Sequence, residues 1–175
     1  IATSADNARS VFAADLDRDG DIDVLSSSAG DDNIMWYEND GSENFTSFTL
    51  ATGNNPKTIV AIDFDGDGDI DVVSASQGNS SIYWHENNGA ESFTTKVISN
   101  STPTNSNRAI AAFDADGDAD IDVISVSQDD KKLYQFTNDG TESFLRTIVD
   151  STTSVNGFSF VYSIDLDGDG DTDAI

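Results

Sequence analysis

Four aspartate-rich segments hold most of the chemistry this sequence could do. Asp15, Asp17, Asp19, Asp21 and Asp23 occupy alternate positions of a nine-residue stretch. The spacing returns as Asp63, Asp65, Asp67, Asp69 and Asp71, then as Asp114, Asp116, Asp118, Asp120 and Asp122, and again as Asp165, Asp167, Asp169, Asp171 and Asp173. All the donors are hard oxygens, with no nitrogen or sulfur among them, which favours Ca2+ and excludes structural zinc. Mg2+ suits the set less, because it takes fewer protein ligands and keeps more of its water. In a tight loop, positions 1, 3 and 5 turn their carboxylates inward. In the first loop these are Asp15, Asp17 and Asp19. Asp21 at position 7 is expected to offer its backbone carbonyl, and Asp23 at position 9 to close the shell as the next strand begins. Gly20 at position 6 permits the sharp turn, and Ile22 at position 8 is expected to anchor the loop in the core. Three to four calcium ions are expected, with all twenty aspartates in metal loops.

An EF-hand would need a bidentate Glu at position 12 and flanking helices. Position 12 is Ser26, Ser74 and Ser125 in the first three loops, and both flanks read as strands. The loop aspartates are 20 of the 33 acidic residues, and without them 13 acids face 8 bases, a net of only −5. The charge problem is therefore local. Like charges at ~4 Å cost on the order of 1–4 kcal/mol per pair near a surface, and a divalent cation removes that cost.

The whole chain of 175 residues carries a formal charge of −25, which argues against nucleic acid or anionic lipid as a direct partner. No apolar run approaches the ~20 residues needed to span a bilayer, so membrane insertion is not expected. The absence of Cys excludes disulfides, thiolate metal sites and thiol catalysis, and a single His makes no multi-histidine site. Hydrophobic residues at 37% and aromatics at 9% suffice for a packed core.

The elements that must position these loops repeat with them. The first aspartates lie 48, 51 and 51 positions apart. DVLSSS (23–28), DVVSAS (71–76) and DVISVS (122–127) correspond, as do NIMWYENDG (33–41), SIYWHENNG (81–89) and KLYQFTNDG (132–140). Within one unit, 9–14, 23–28, 34–38 and 45–50 are β-rich runs, and 23–28 alternates apolar and polar as a half-buried strand does. The Asn39-Asp40-Gly41 link and its two copies read as a tight hairpin turn, since Asn, Asp and Gly tolerate positive φ. No helical period is visible. Four strands in about 50 residues, repeated, is the pattern of a β-propeller blade. The predicted fold is all-β, with blades of four antiparallel strands in a single repeat array. The repeats run approximately 1–50, 51–98 and 99–149, with a partial fourth over 150–175.

On the DxDxDGDxD loops, the apolar strands that follow them and WYENDG, the chain resembles the FG-GAP/VCBS repeats that build the propeller of integrin alpha subunits and many secreted bacterial propellers. The resemblance implies Ca2+ held through positions 1, 3, 5 and 9 and the position-7 carbonyl. It further implies an extracellular or cell-surface protein engaged in adhesion or carbohydrate binding, and a larger ring of about seven blades of which this chain is a fragment. Departures are Arg18, where the other loops have Gly, Ala119 in place of the position-6 Gly, and Gln135 in place of Trp36 and Trp84. If position 6 needs positive φ, Ala119 adds roughly 1 kcal/mol of strain and weakens the third site. The fourth loop keeps its ligands but loses most of its supporting blade.

No catalytic residues are assigned. His85 stands on a strand where the other repeats have Tyr37 and Phe136, and a structural role is expected of it. Ser26, Ser27 and Ser28 read as strand and loop surface. Trp36 and Trp84 are expected to pack between blades, with stacking on sugars as the alternative. The functional expectation is a calcium-stabilised binding or adhesion module for glycans or proteins, not an enzyme. The alternative is the non-catalytic propeller portion of a larger secreted polysaccharide-degrading enzyme.

Overall fold

The computed structural model describes residues 5–100, 106–150, 160–164 and 172–174. All its regular elements are strands. The first sheet has the order β1 (Ala8–Ala14), β2 (Asp23–Ser28), β3 (Asn33–Asn39), β4 (Phe45–Thr52). The second repeats it with β5 (Pro56–Ile62), β6 (Asp71–Ser76), β7 (Ser81–Asn87) and β8 (Phe93–Asn100). The third comprises β9 (Asn107–Phe113), β10 (Asp122–Ser127), β11 (Lys132–Asn138) and β12 (Phe144–Asp150). A two-stranded sheet of β13 (Ser163–Ile164) and β14 (Asp173–Ala174) follows. Every neighbouring pair is antiparallel and joined in chain order, so each sheet is a meander. Among the described residues no helix is long and apolar enough to cross a membrane.

The sheets stack through their first strands, with β1 beside β5, β5 beside β9 and β9 beside β13, and among the described residues the stack does not close into a ring. Side chains of a strand point alternately to opposite faces. In these inner strands one set therefore packs on the preceding sheet and the other on the following one. Ile59, Ala61, Val72 and Ile70 of the second sheet join Leu16, Leu25, Ile34, Trp36, Phe12 and Ala14 of the first. Val60, Ile62, Val73 and Ala75 join Ile110, Ala112 and Val123 of the third. Ala109, Ala111 and Ile124 meet Val161 of the fourth. Burying a Leu, Ile or Val side chain contributes about 1.5–3 kcal/mol, and most of the core lies at these seams.

Three expectations change. β6 and β10 lie in sheets with a neighbour on each face, and they are buried throughout. Ser26, Ser27 and Ser28 are buried with them and are not surface: Ser27 Oγ donates to Lys57 O of the next sheet, and Ser26 Oγ stands 3.4 Å from Tyr37 Oη. Ile22 is 56% exposed, while its counterparts Ile70 and Ile121 pack at the seams. Position 8 faces the preceding sheet, and among the described residues none precedes the first. In the hairpin turns the left-handed residues are Gly41 and Glu43, Gly89 and Glu91, and Gly140 and Glu142, whereas Asn39 ends a strand.

His85 and the two tryptophans do pack inside. His85 is 1% exposed, with Nε2 2.9 Å from Ser74 Oγ and Nδ1 2.9 Å from Thr95 Oγ1. Trp36 meets Phe48 and, across the seam, Phe93, and Trp84 meets Phe64.

Candidate metal centre

Each acidic loop joins the first strand of a sheet to the second, and its aspartates form a ladder. The Asp17 carboxylate accepts from Asp19 N (3.1 Å), and the Asp19 carboxylate from Asp21 N (2.8 Å). Asp65 and Asp67 accept likewise from Asp67 N and Asp69 N. The first aspartate reaches across the loop, Asp15 to Gly20 N, Asp63 to Gly68 N and Asp114 to Ala119 N, at 3.0–3.1 Å. These bonds occupy one face of the carboxylates and turn the others towards a common point. One oxygen from each of Asp15, Asp17 and Asp19 lies within 4.8 Å of the others, and Asp63, Asp65 and Asp67 repeat the arrangement. The third loop brings together Asp114, Asp116 and Asp122 instead, so position 9 replaces Asp118 there. Asp15 Oδ1 is buried with no hydrogen-bond partner. An orphaned carboxylate oxygen inside an all-oxygen cluster fits a hard cation, and Ca2+ above all.

Position 9 is the pivot of each loop. Asp23, Asp71 and Asp122 are fully buried. Each takes the N–H of position 2 on one oxygen (Leu16, Phe64 and Ala115, 3.1–3.2 Å). The other oxygen takes the N–H of the last residue of the third strand, from Asn39, Asn87 and Asn138 at 2.6–2.8 Å. The Trp36 indole N–H adds a 2.9 Å bond to Asp23. Trp84 Nε1 forms no bond of normal geometry, though the indole still pulls on Asp71.

The FG-GAP-like repeat family matches this sequence three times, over residues 15–74, 63–125 and 114–175, each match opening on the first aspartate of a loop. The chain belongs to the FG-GAP-like repeat family. A solved structure, the structural basis of specific recognition of non-reducing terminal N-acetylglucosamine by an Agrocybe aegerita lectin, is similar to it with a TM-score of 0.62 at 16% identity. The likeness covers 94% of this chain and 46% of the lectin chain, so these FG-GAP-like repeats span about half that protein's length, and at this identity they share its fold alone. No curated protein sequence matches.

The electrostatics of the FG-GAP-like loops follow from burial. Desolvation pushes Asp71 up to about 6, although the Asn87 N–H pulls the other way. Burial likewise raises Asp122, Asp17 and Asp65, and in all three the neighbouring carboxylates add to it. Asp114 goes below the usual range because the Gly117 N–H holds its charged form. A loop that raises its own carboxylates is one that a cation stabilises.

Position 6 is left-handed in all three described loops, with φ of +95° at Gly20, +92° at Gly68 and +77° at Ala119. Ala119 therefore stands in the strained region expected for it. Position 4 is left-handed too, at Arg18 (+64°), Gly66 and Gly117. The Arg18 guanidinium uses that conformation to reach Asp69 of the next sheet's loop at 2.6 Å.

Two roles are not apparent from spacing. The position-7 side chains lie against the hairpin turns, where a Cβ on Gly89 or Gly140 would meet Asp69 Oδ2 or Asp120 Oδ2 at 2.6 Å. Asn39, Asn87 and Asn138 clamp the loops to those turns. Each donates from Nδ2 to the position-8 carbonyl (Ile22, Ile70, Ile121) and accepts the N–H of the turn glycine. Their recurrence before Asp/Asn-Gly was the available signal. Asp165, Asp167, Asp169 and Asp171 of the fourth loop lie outside the described residues, and of Asp173 only its place in β14 is described.

Proposed function

We propose that this chain is a calcium-stabilised segment of a β-propeller binding module, extracellular or at a cell surface, that recognises glycans or proteins. The single observation that carries the calcium reading is the recurrence of oxygen-only aspartate triads within 4.8 Å in three successive loops, one of them with an orphaned buried oxygen. Asp15, Asp17, Asp19 and Asp23 would hold the first ion, with the carbonyl of Asp21, and the same positions would serve in the other loops, including Asp165 to Asp173. Bound there, the ion supplies charge neutralisation. The chain's own residues fix the loop ends through Asp23, Asp71 and Asp122 and hold the hairpin through the asparagine clamps.

Ligand present at a hundredfold its dissociation constant stabilises the folded state by about 2.7 kcal/mol per site. Three such sites rival the ~5–15 kcal/mol net stability of a domain. Chelation is therefore expected to lower the melting temperature sharply in calorimetry, and an unchanged melt in excess chelator refutes the calcium reading. Glycan recognition is supported by the blade fold shared with a lectin. A glycan array probed with and without calcium tests it, and an array without any hit in calcium counts against it.

A further inference from the structure

A cleft of about 840 Å³ follows the inner strands β1, β5 and β9 and reaches Phe160–Ser163. One end of it is basic. Arg9, Lys57 and Arg108 line it, each six residues before the first aspartate of its loop. Neighbouring sheets hold them in place, as Thr58 Oγ1 of β5 donates to Arg108 O of β9 at 2.6 Å and Ser27 Oγ of β2 to Lys57 O of β5 at 3.3 Å. The three cations feel one another. Burial lowers the Lys57 ammonium first, and the charges of Arg9 and Arg108 lower it further.

In a chain with 33 acids and 8 bases, carboxylate partners are plentiful. Arg18 and Lys132 each have one, and Lys96 has two. Arg9, Lys57 and Arg108 have no ion-pair partner among the described residues, and Arg108 Nε is buried with no hydrogen-bond acceptor. A buried guanidinium N–H without an acceptor is costly, and three like charges in a row add to that cost. One oxyanion relieves both. The acidic loops do not supply it, because they stand at the opposite end of the same strands. Six residues of strand span about 20 Å, more than two Debye lengths at physiological salt, where one is ~8 Å.

We propose that Arg9, Lys57 and Arg108 form a binding site for the oxyanion of a small ligand, a carboxylate or a sulfate, seated at the basic end of the cleft. The guanidinium forks match the planar or tetrahedral oxygens of such groups, and the ammonium adds a point charge. The cleft falls within the ~300–1,000 Å³ of small-molecule sites. This inference is independent of the calcium sites.

Isothermal titration of the whole chain in calcium-containing buffer tests it, with sodium sulfate, methyl glucuronide and neutral methyl glucoside as the probes. Saturable binding of an anion is expected, with none of the neutral glucoside. Arg9→Met and Lys57→Met are each expected to weaken binding about tenfold, the loss of one charge-assisted contact, while Lys132→Met, outside the cleft, leaves it unchanged. Glucuronide bound more tightly than sulfate identifies an acidic sugar as the source of the group, and the reverse order identifies a free inorganic anion. No saturable binding of either anion overturns the proposal, as does binding that both cleft variants leave intact. Should Lys57→Met fail to fold, the exposed Arg9→Met decides alone.

Discussion

Asn87 offers a measurement of what the clamps contribute. Its side chain is 1% exposed and makes three hydrogen bonds: to Leu16 O of the neighbouring sheet's loop (3.0 Å), to Ile70 O (3.1 Å) and from Gly89 N (3.1 Å). Asn39 makes the last two of these and lies nearer the solvent. Asn87→Ala strands two carbonyls and one N–H in a buried place, at about 1 kcal/mol each. A total of about 3 kcal/mol, at ~2–4 °C per kcal/mol for a chain of this size, lowers the melting temperature by roughly 6–12 °C. In Asn39→Ala water replaces both partners, and the expected cost is about 1 kcal/mol or less. The backbone N–H of residue 87 still reaches Asp71 in the variant, so the proposed calcium site is expected to keep its geometry. Differential scanning calorimetry of both variants, in calcium and in chelator, reads the difference. Equal losses at the two positions, or a wild-type melt for Asn87→Ala, would refute the view that the bond between sheets carries the stability. Asn87→Asp keeps the acceptor for Gly89 N but sets a carboxylate against two carbonyls, and should lose at least as much.

The remaining expectations concern single sites. Burial lowers His85 from its ordinary 6.5 to about 4, so the unfolded chain binds more protons between those values, and stability present above pH 6.5 is lost as pH falls towards 4. That gap is worth about 3 kcal/mol at most. His85→Tyr, copying Tyr37 and its 3.4 Å contact with Ser26 Oγ, should flatten this part of the pH–stability profile, and a profile as steep as wild type would contradict it. Ala119→Gly relieves a left-handed alanine and should stabilise by about 1 kcal/mol, with calcium affinity at the third loop rising in titration. A lower melting temperature would show the strain is absent. Arg18→Gly removes a half-exposed ion pair, worth ~0–1 kcal/mol, and a strained conformation together, so denaturant midpoints should barely move.

The strands were legible because each β-rich run is bounded by an aspartate loop or by Asn-Asp-Gly, and the spacing repeats. The acidic loops were legible for the same reason. What the chain did not disclose depends on neighbours. Ser26, Ser27 and Ser28 look like surface because the alternation in 23–28 suggests one wet face, yet all three are buried, Ser27 against Lys57 O of the next sheet. Ile22 and Ile70 are identical in sequence context and differ in burial because only one has a sheet before it. Asn39, Asn87 and Asn138 read as turn residues, although they end strands and work through their side chains. The basic row was present in the sequence as three cations at one offset from the loops, and the weight of acidic charge hid it.

The seams have a consequence for how such a protein changes length. Each is made by one face of an inner strand meeting the facing side of the next, so no unit contains a complete core of its own, and any two successive units contain one. Duplicating or deleting a whole unit leaves every remaining junction chemically familiar, while a cut inside a unit destroys two of them. Evolution can therefore add or remove whole repeats without redesigning the interior, and a protein engineer can do the same.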